Sequence, residues 1–116
     1  MTCTNYISVI GGLGLLFANP AWANCDLSKV VGYTLVEQKT IERFIDEDPG
    51  RGRSVRQDGF EGCDFNRIIV FTDNTGLRCA GYGYQYAYRP MVNIFVRKNS
   101  IKMCVESTFY DMTHIM

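Results

Sequence analysis

Four cysteines, Cys25, Cys63, Cys79 and Cys104, follow an apolar leader and are spread so widely that none forms a close pair. An even number of cysteines in an exported chain of this size reads as two structural disulfides. A zinc or thiol-redox site would need close pairs of the C-x-x-C kind, and these four make none. Each bridge stabilises a small domain by about 2–4 kcal/mol, a large share of its total stability. Three pairings are open, and the spacing does not choose among them.

The case for export rests on the first residues. "YISVIGGLGLLFA" is an uncharged apolar run, followed by "NPAWA" with Ala21 and Ala23 at the small-residue positions of a cleavage site. The run is shorter than the ~20 residues that a spanning helix needs. No Lys or Arg precedes it, so the usual positive region is missing. Asn24 stands where a lipid-anchor motif before Cys25 would want Gly or Ala. Residues 1–23, Cys3 included, therefore read as a secretory signal peptide. Residues 24–116 read as one small periplasmic or secreted domain with no stable membrane insertion once the signal is removed.

Charge excludes some partners. Twelve basic and twelve acidic residues balance, so no net field holds nucleic acid or an anionic membrane. The one basic cluster, Arg51, Arg53 and Arg56, directly follows Asp46, Glu47 and Asp48, and the two together read as a solvated loop.

Turn signals divide the domain into runs rich in Val, Ile, Thr, Tyr and Phe: Gly32–Ile45, Asp64–Thr72, Leu77–Arg89, Met91–Lys98 and Ile101–Tyr110. No window carries a helical period. The pattern predicts an all-β fold, a small antiparallel meander or barrel of about five bent strands, SH3-like or a similar roll. Residues 46–62 are expected as a long irregular loop and 111–116 as a flexible tail. At ~3.3 Å per residue the first and third runs would each exceed about 40 Å, so each must bend sharply or break in two. Gly81 and Gly83 are the natural places for the third run to coil.

That third run holds a tyrosine at every second position, Tyr82, Tyr84, Tyr86 and Tyr88, and a strand would send all four to one face. An Asn99-Ser100 loop would set Val96 opposite Met103 and Ile94 opposite Val105. An even connection at Pro90 would then place Ala87 with the aliphatic core and turn the tyrosines outward, in rows with Asn93, Phe95, Arg97 and Lys102. An odd connection would bury them, since a one-residue slip flips every side chain. Turned outward, the row is either cross-strand packing or a platform rimmed by Arg67, Arg89 and Arg97, with stacking and cation–π contacts to offer.

Catalytic chemistry is sparse. The single histidine, His114, is the third residue from the end, in "MTHIM". Without a second histidine and with all mature cysteines assigned to disulfides, Ser-His-Asp and Cys-His nucleophilic sites are hard to build. The carboxylates of Asp46, Glu47 and Asp48 read as exposed loop residues rather than a desolvated acid and base. "DEDPGRGRSVRQD" fails as a calcium loop, with Arg51 where glycine is needed and no closing glutamate. No metal, no cofactor and no enzymatic activity are expected.

The string "GCDFNRIIVFTDNTGLRCAGYGYQYAYRP", followed by a Val/Ile strand and the closing "FYDM", resembles a group of small exported bacterial proteins of unknown function. The resemblance covers most of the mature chain and implies export and a small β fold, with no activity or ligand. The function expected is therefore a binding or structural module. Tyr82, Tyr84, Tyr86, Tyr88 and Arg89 are its candidate ligand-binding residues, and its partner is an unidentified protein or small ligand. Two rivals are an inhibitor that inserts the Asp46–Gly62 loop into an enzyme's cleft, and an enzyme that uses that loop's carboxylates.

Overall fold

The computed structural model describes residues 24–48, 50, 52–57 and 59–115. The leader with Cys3, and Arg51 of the basic cluster, lie outside them. A short 3-10 turn (Leu27–Val30) precedes seven strands: β1 (Thr34–Asp48), β2 (Gly52–Arg56), β3 (Ile68–Phe71), β4 (Gly76–Cys79), β5 (Met91–Arg97), β6 (Ser100–Val105) and β7 (Thr108–His114). They pair antiparallel in the order β2-β1-β3-β4-β7-β6-β5, and β5 pairs back onto β1 to close the sheet. The all-β barrel read from the sequence is present, with seven strands among the described residues in place of about five.

Closure depends on β1. Its first half, Thr34–Thr40, pairs with β5, and Ile41–Ile45 pairs with β3. The register shifts between Leu35 and Glu37 and again between Ile41 and Arg43. Such bulges bend a strand and tighten its twist. The first run thus bends, as its length requires, and stays one strand of 15 residues.

Period-two alternation fills the interior. Val92 and Ile94 of β5, Ile101, Met103 and Val105 of β6, and Tyr110 and Met112 of β7 meet Ile41, Phe44, Ile69, Phe71 and Leu77. A second layer lies on the outer side of β5 and β6. There the Cys25–Cys104 disulfide fastens the N-terminal segment, and Val30, Phe95, Tyr33 and Phe109 pack around it. Asn93 is buried beneath this layer and accepts a 2.8 Å hydrogen bond from the Gln38 amide. The other bridge, Cys63–Cys79, sits in the main core. Two bridges belong to an oxidising environment. Among the described residues no helix is long and apolar enough to cross a membrane.

Three expectations are corrected. Residues 46–62 are not one irregular loop: Glu47 pairs with Arg53 and Asp46 with Ser54, so the acidic and basic clusters face each other across a β1–β2 hairpin. The tail expected over residues 111–116 is strand as far as His114, which pairs with Leu77, and Met116 lies outside the described residues. The β5–β6 turn is Lys98-Asn99, with Lys98 at φ 53°, and it pairs Val96 with Ile101 and Ile94 with Met103. That register is two residues from the expected one, so the same side chains still face inward.

Candidate functional site

After Cys79 the chain leaves the ladder. Residues 80–90 are held by two isolated bridges, Cys63 with Gly83 and Phe60 with Ala87. Each is a reciprocal pair of backbone hydrogen bonds between 2.8 and 3.0 Å. The third run is therefore a short strand followed by a doubly pinned extended segment, not one strand to Arg89. Its neighbour, residues 59–63, brings the two backbones unusually close. Gly62 has φ +87°, and a Cβ there would overlap the Gly83 carbonyl oxygen. Gly59 has φ +127°, and a Cβ there would stand 2.7 Å from the Ala87 oxygen. The backbone freedom expected of Gly81 and Gly83 is used here instead, since neither of those two has positive φ. Gly83 matters for its small size, because a Cβ on it would stand 3.2 Å from the Tyr110 ring.

The alternation of the tyrosine run survives without a regular ladder. Gly83, Gln85 and Ala87 turn inward. Ala87 is buried, and the Gln85 amide accepts a 2.7 Å hydrogen bond from the Tyr110 hydroxyl. The same amide donates to the Val105 carbonyl and to Glu106. Burial pushes the Tyr110 phenol up, with Glu106 adding to the shift, so the hydroxyl remains a donor. The tyrosines turn outward: Tyr82, Tyr84, Tyr86 and Tyr88 are 80%, 72%, 56% and 68% exposed. Arg89 follows, exposed and at φ 43°.

The surroundings differ from those expected. Asn93 and Phe95 are buried under the N-terminal segment and do not extend the row. Arg97 lies at the far end of β5, beside Gly32 and Tyr33. Arg67 is buried and is no rim residue. It forks onto Asp46 at 2.7 and 2.9 Å, donates to the Glu61 and Gly62 carbonyls, and stacks 4.1 Å over the Phe44 ring. Of the three arginines, only Arg89 adjoins the row. Asp46 is thus engaged by Arg67, and Glu47 faces Arg53, so these carboxylates do not converge on a common point. Among the described residues no group of His, Cys, Asp and Glu could hold a metal ion.

Two clefts border the segment. The larger, about 400 Å³, lies at its Tyr82 end between residues 64–66 and 79–82, with Thr113 at its side. The smaller, about 80 Å³, has Tyr86 beside Phe44, Phe60 and Arg56. Two residues of this region escape sequence reasoning. Phe65 is 85% exposed in the larger cleft, and Gln85 is the inward anchor. The turn signal in "DFN" could have flagged Phe65, whereas Gln85 carries no signal beyond its place between two tyrosines. No protein-family model, curated protein or solved structure matches the chain.

Proposed function

We propose that the protein is an exported, non-catalytic binding module whose contact surface is the row Tyr82, Tyr84, Tyr86 and Tyr88 with Arg89. One observation carries the reading: the inward side of this segment is fixed by Gly83, Gln85 and Ala87, which leaves four phenol rings outside the packing of the fold. Rings that are needed only to cover a small core would be covered themselves. Exposed tyrosine supplies large contact area with little side-chain entropy to lose, the property that makes it common in binding surfaces. The two disulfides support the export half of the reading.

The test is affinity capture from extracellular and envelope extract on the immobilised, disulfide-intact protein. A Tyr84→Ala/Tyr86→Ala double variant should lose whatever the wild-type protein retains. Equal retention by both removes the tyrosine row as the contact surface. The inhibitor reading has its own support, since all five residues of β2 are exposed on the hairpin. It predicts stoichiometric retention of one enzyme, lost on Arg53→Glu/Arg56→Glu and indifferent to the tyrosines.

A further inference from the structure

We infer that the larger cleft, between Phe65 and Tyr82, is a subsite for a neutral saccharide. The inference rests on the binding reading above and names the ligand class for that face. The cleft is braced. Its two walls, residues 64–66 and 79–82, are joined at their roots by the Cys63–Cys79 disulfide. Backbone hydrogen bonds from Arg67 to Asp64 and from Cys79 to Arg67, at 3.0 and 2.8 Å, lock the turn between them, and Arg78 donates to the Asn66 carbonyl. Ala80 is tied to Asp111 of β7 at 2.9 Å. A site held this firmly loses little conformational freedom when it binds.

Its chemistry is that of a sugar site. Phe65 sits at the tip of a turn whose Asn66 has φ 62°, and it is 85% exposed, so it contributes nothing to the core. With Tyr82 at 80% exposure, it offers open aromatic plates rather than an enclosed cage. Open plates suit the apolar C–H face of a pyranose. Asp64, Asn66 and Thr113 also line the cleft, and their side chains supply a mixture of acceptors and donors that fits ring hydroxyls. Asp64 uses one oxygen to accept from the Phe65 amide at 2.7 Å, which leaves the other for a ligand hydroxyl. It is also the only formally charged residue in the lining, which disfavours an anion. The volume, about 400 Å³, falls within the ~300–1,000 Å³ usual for small-molecule sites. Beyond Tyr82 the outward residues follow at ~6.6 Å intervals for an extended chain, a track along which a linear oligosaccharide could continue.

The disulfide-intact protein is titrated with the tetrasaccharides of β-1,4-N-acetylglucosamine, β-1,4-glucose and α-1,4-glucose, and separately with phosphocholine, by calorimetry and amide-shift mapping. At least one tetrasaccharide should bind, with its largest shifts at residues 64–66 and 80–82. Phe65→Ala and Tyr82→Ala should each weaken it about tenfold, equivalent to ~1.4 kcal/mol. Gly81→Leu should block it, because Gly81 lines the cleft and a Cβ added there meets no protein atom within 4 Å, so the larger side chain has room to occupy the site. Val31→Ala, an exposed residue of the N-terminal segment outside the row and the cleft, should stay within about twofold, a change of well under 1.4 kcal/mol. Binding by none of the three sugars, binding by phosphocholine alone, or sugar binding indifferent to Phe65→Ala and Tyr82→Ala would overturn the assignment. If the sugars fail while tyrosine-dependent capture persists, the ligand class falls alone. If both fail, the binding reading falls with it.

Discussion

Asp46 and Arg67, 21 residues apart in sequence, meet as a forked ion pair with Nε to Oδ1 at 2.7 Å and Nη2 to Oδ2 at 2.9 Å. The guanidinium also reaches the Glu61 and Gly62 carbonyls, so one side chain ties the long strand β1 to the segment that pins the tyrosine run.

Breaking this pair should be felt throughout the domain. Asp46→Asn leaves a buried guanidinium without its counter-charge. For a fully buried pair that costs ~3–5 kcal/mol; here about 2–3 is expected, because the Asp46 side chain is 35% exposed. Urea unfolding checks this, and a loss under about 0.5 kcal/mol would show that the pair is structurally idle.

Gly62 and Gly81 should respond in opposite ways to alanine. Gly62→Ala combines positive φ with backbone overlap at Gly83 and should destabilise by at least ~2 kcal/mol. At Gly81 a Cβ meets nothing within 4 Å, and the backbone is not in the left-handed region, so Gly81→Ala should raise stability by a few tenths up to about 1 kcal/mol. Paired thermal melts decide it.

The bridges should differ in weight. Chain entropy gives about 4.5 kcal/mol for Cys25–Cys104, with a sequence separation of 79, and about 3 kcal/mol for Cys63–Cys79, with a separation of 16. Removing each bridge as a double alanine variant should preserve that order in urea. Alkylation of the native, unreduced protein should label none of Cys25, Cys63, Cys79 and Cys104.

An acid limb should trace to the turn after β3. The Lys39 ammonium, with Thr75, holds the Asp73 carboxyl down to about 2, below its ordinary 3.8. A folded pKa below the unfolded one gives stability that is complete above pH 3.8 and is lost as pH falls towards 2. Carboxyl-detected NMR should find that midpoint. Lys39→Met should move it back towards the ordinary value.

Much of the fold is legible in the sequence because its causes are local. Alternating apolar residues in β5, β6 and β7 identify the strands and their inward faces. The turn at Lys98-Asn99 differs from the expected Asn99-Ser100, yet those faces are unchanged because the slip is one of two residues. An even count of widely spaced cysteines identifies the disulfides, though which cysteines meet depends on the closed sheet. The two-sidedness of the tyrosine run is likewise visible in its alternation, while its setting is not. Residues 80–90 are paired by two bridges to residues 59–63, a contact made by glycines far from the run itself. Nothing near Arg67 in sequence indicates Asp46, so the arginine resembles a surface residue. The β1–β2 hairpin hides behind dense charge, which on its own suggests solvated loop even with Pro49 and Gly50 between the two clusters. The end of β7 is hidden because its partner, Leu77, lies far back in the chain.

The central claim is that the segment from Tyr82 to Tyr88 has a structural side and a free side. Thermal melts of Tyr84→Ala and Gln85→Ala, run side by side, test it most directly. Tyr84 is 72% exposed, so its loss should change stability by less than about 0.5 kcal/mol. Gln85→Ala strands the Tyr110 hydroxyl and the Val105 carbonyl, which should cost ~1–3 kcal/mol and lower the midpoint by at least ~4 °C. A Tyr84→Ala midpoint that falls as far as that of Gln85→Ala would contradict the account, because the ring would then belong to the packing and not to a surface left free to bind.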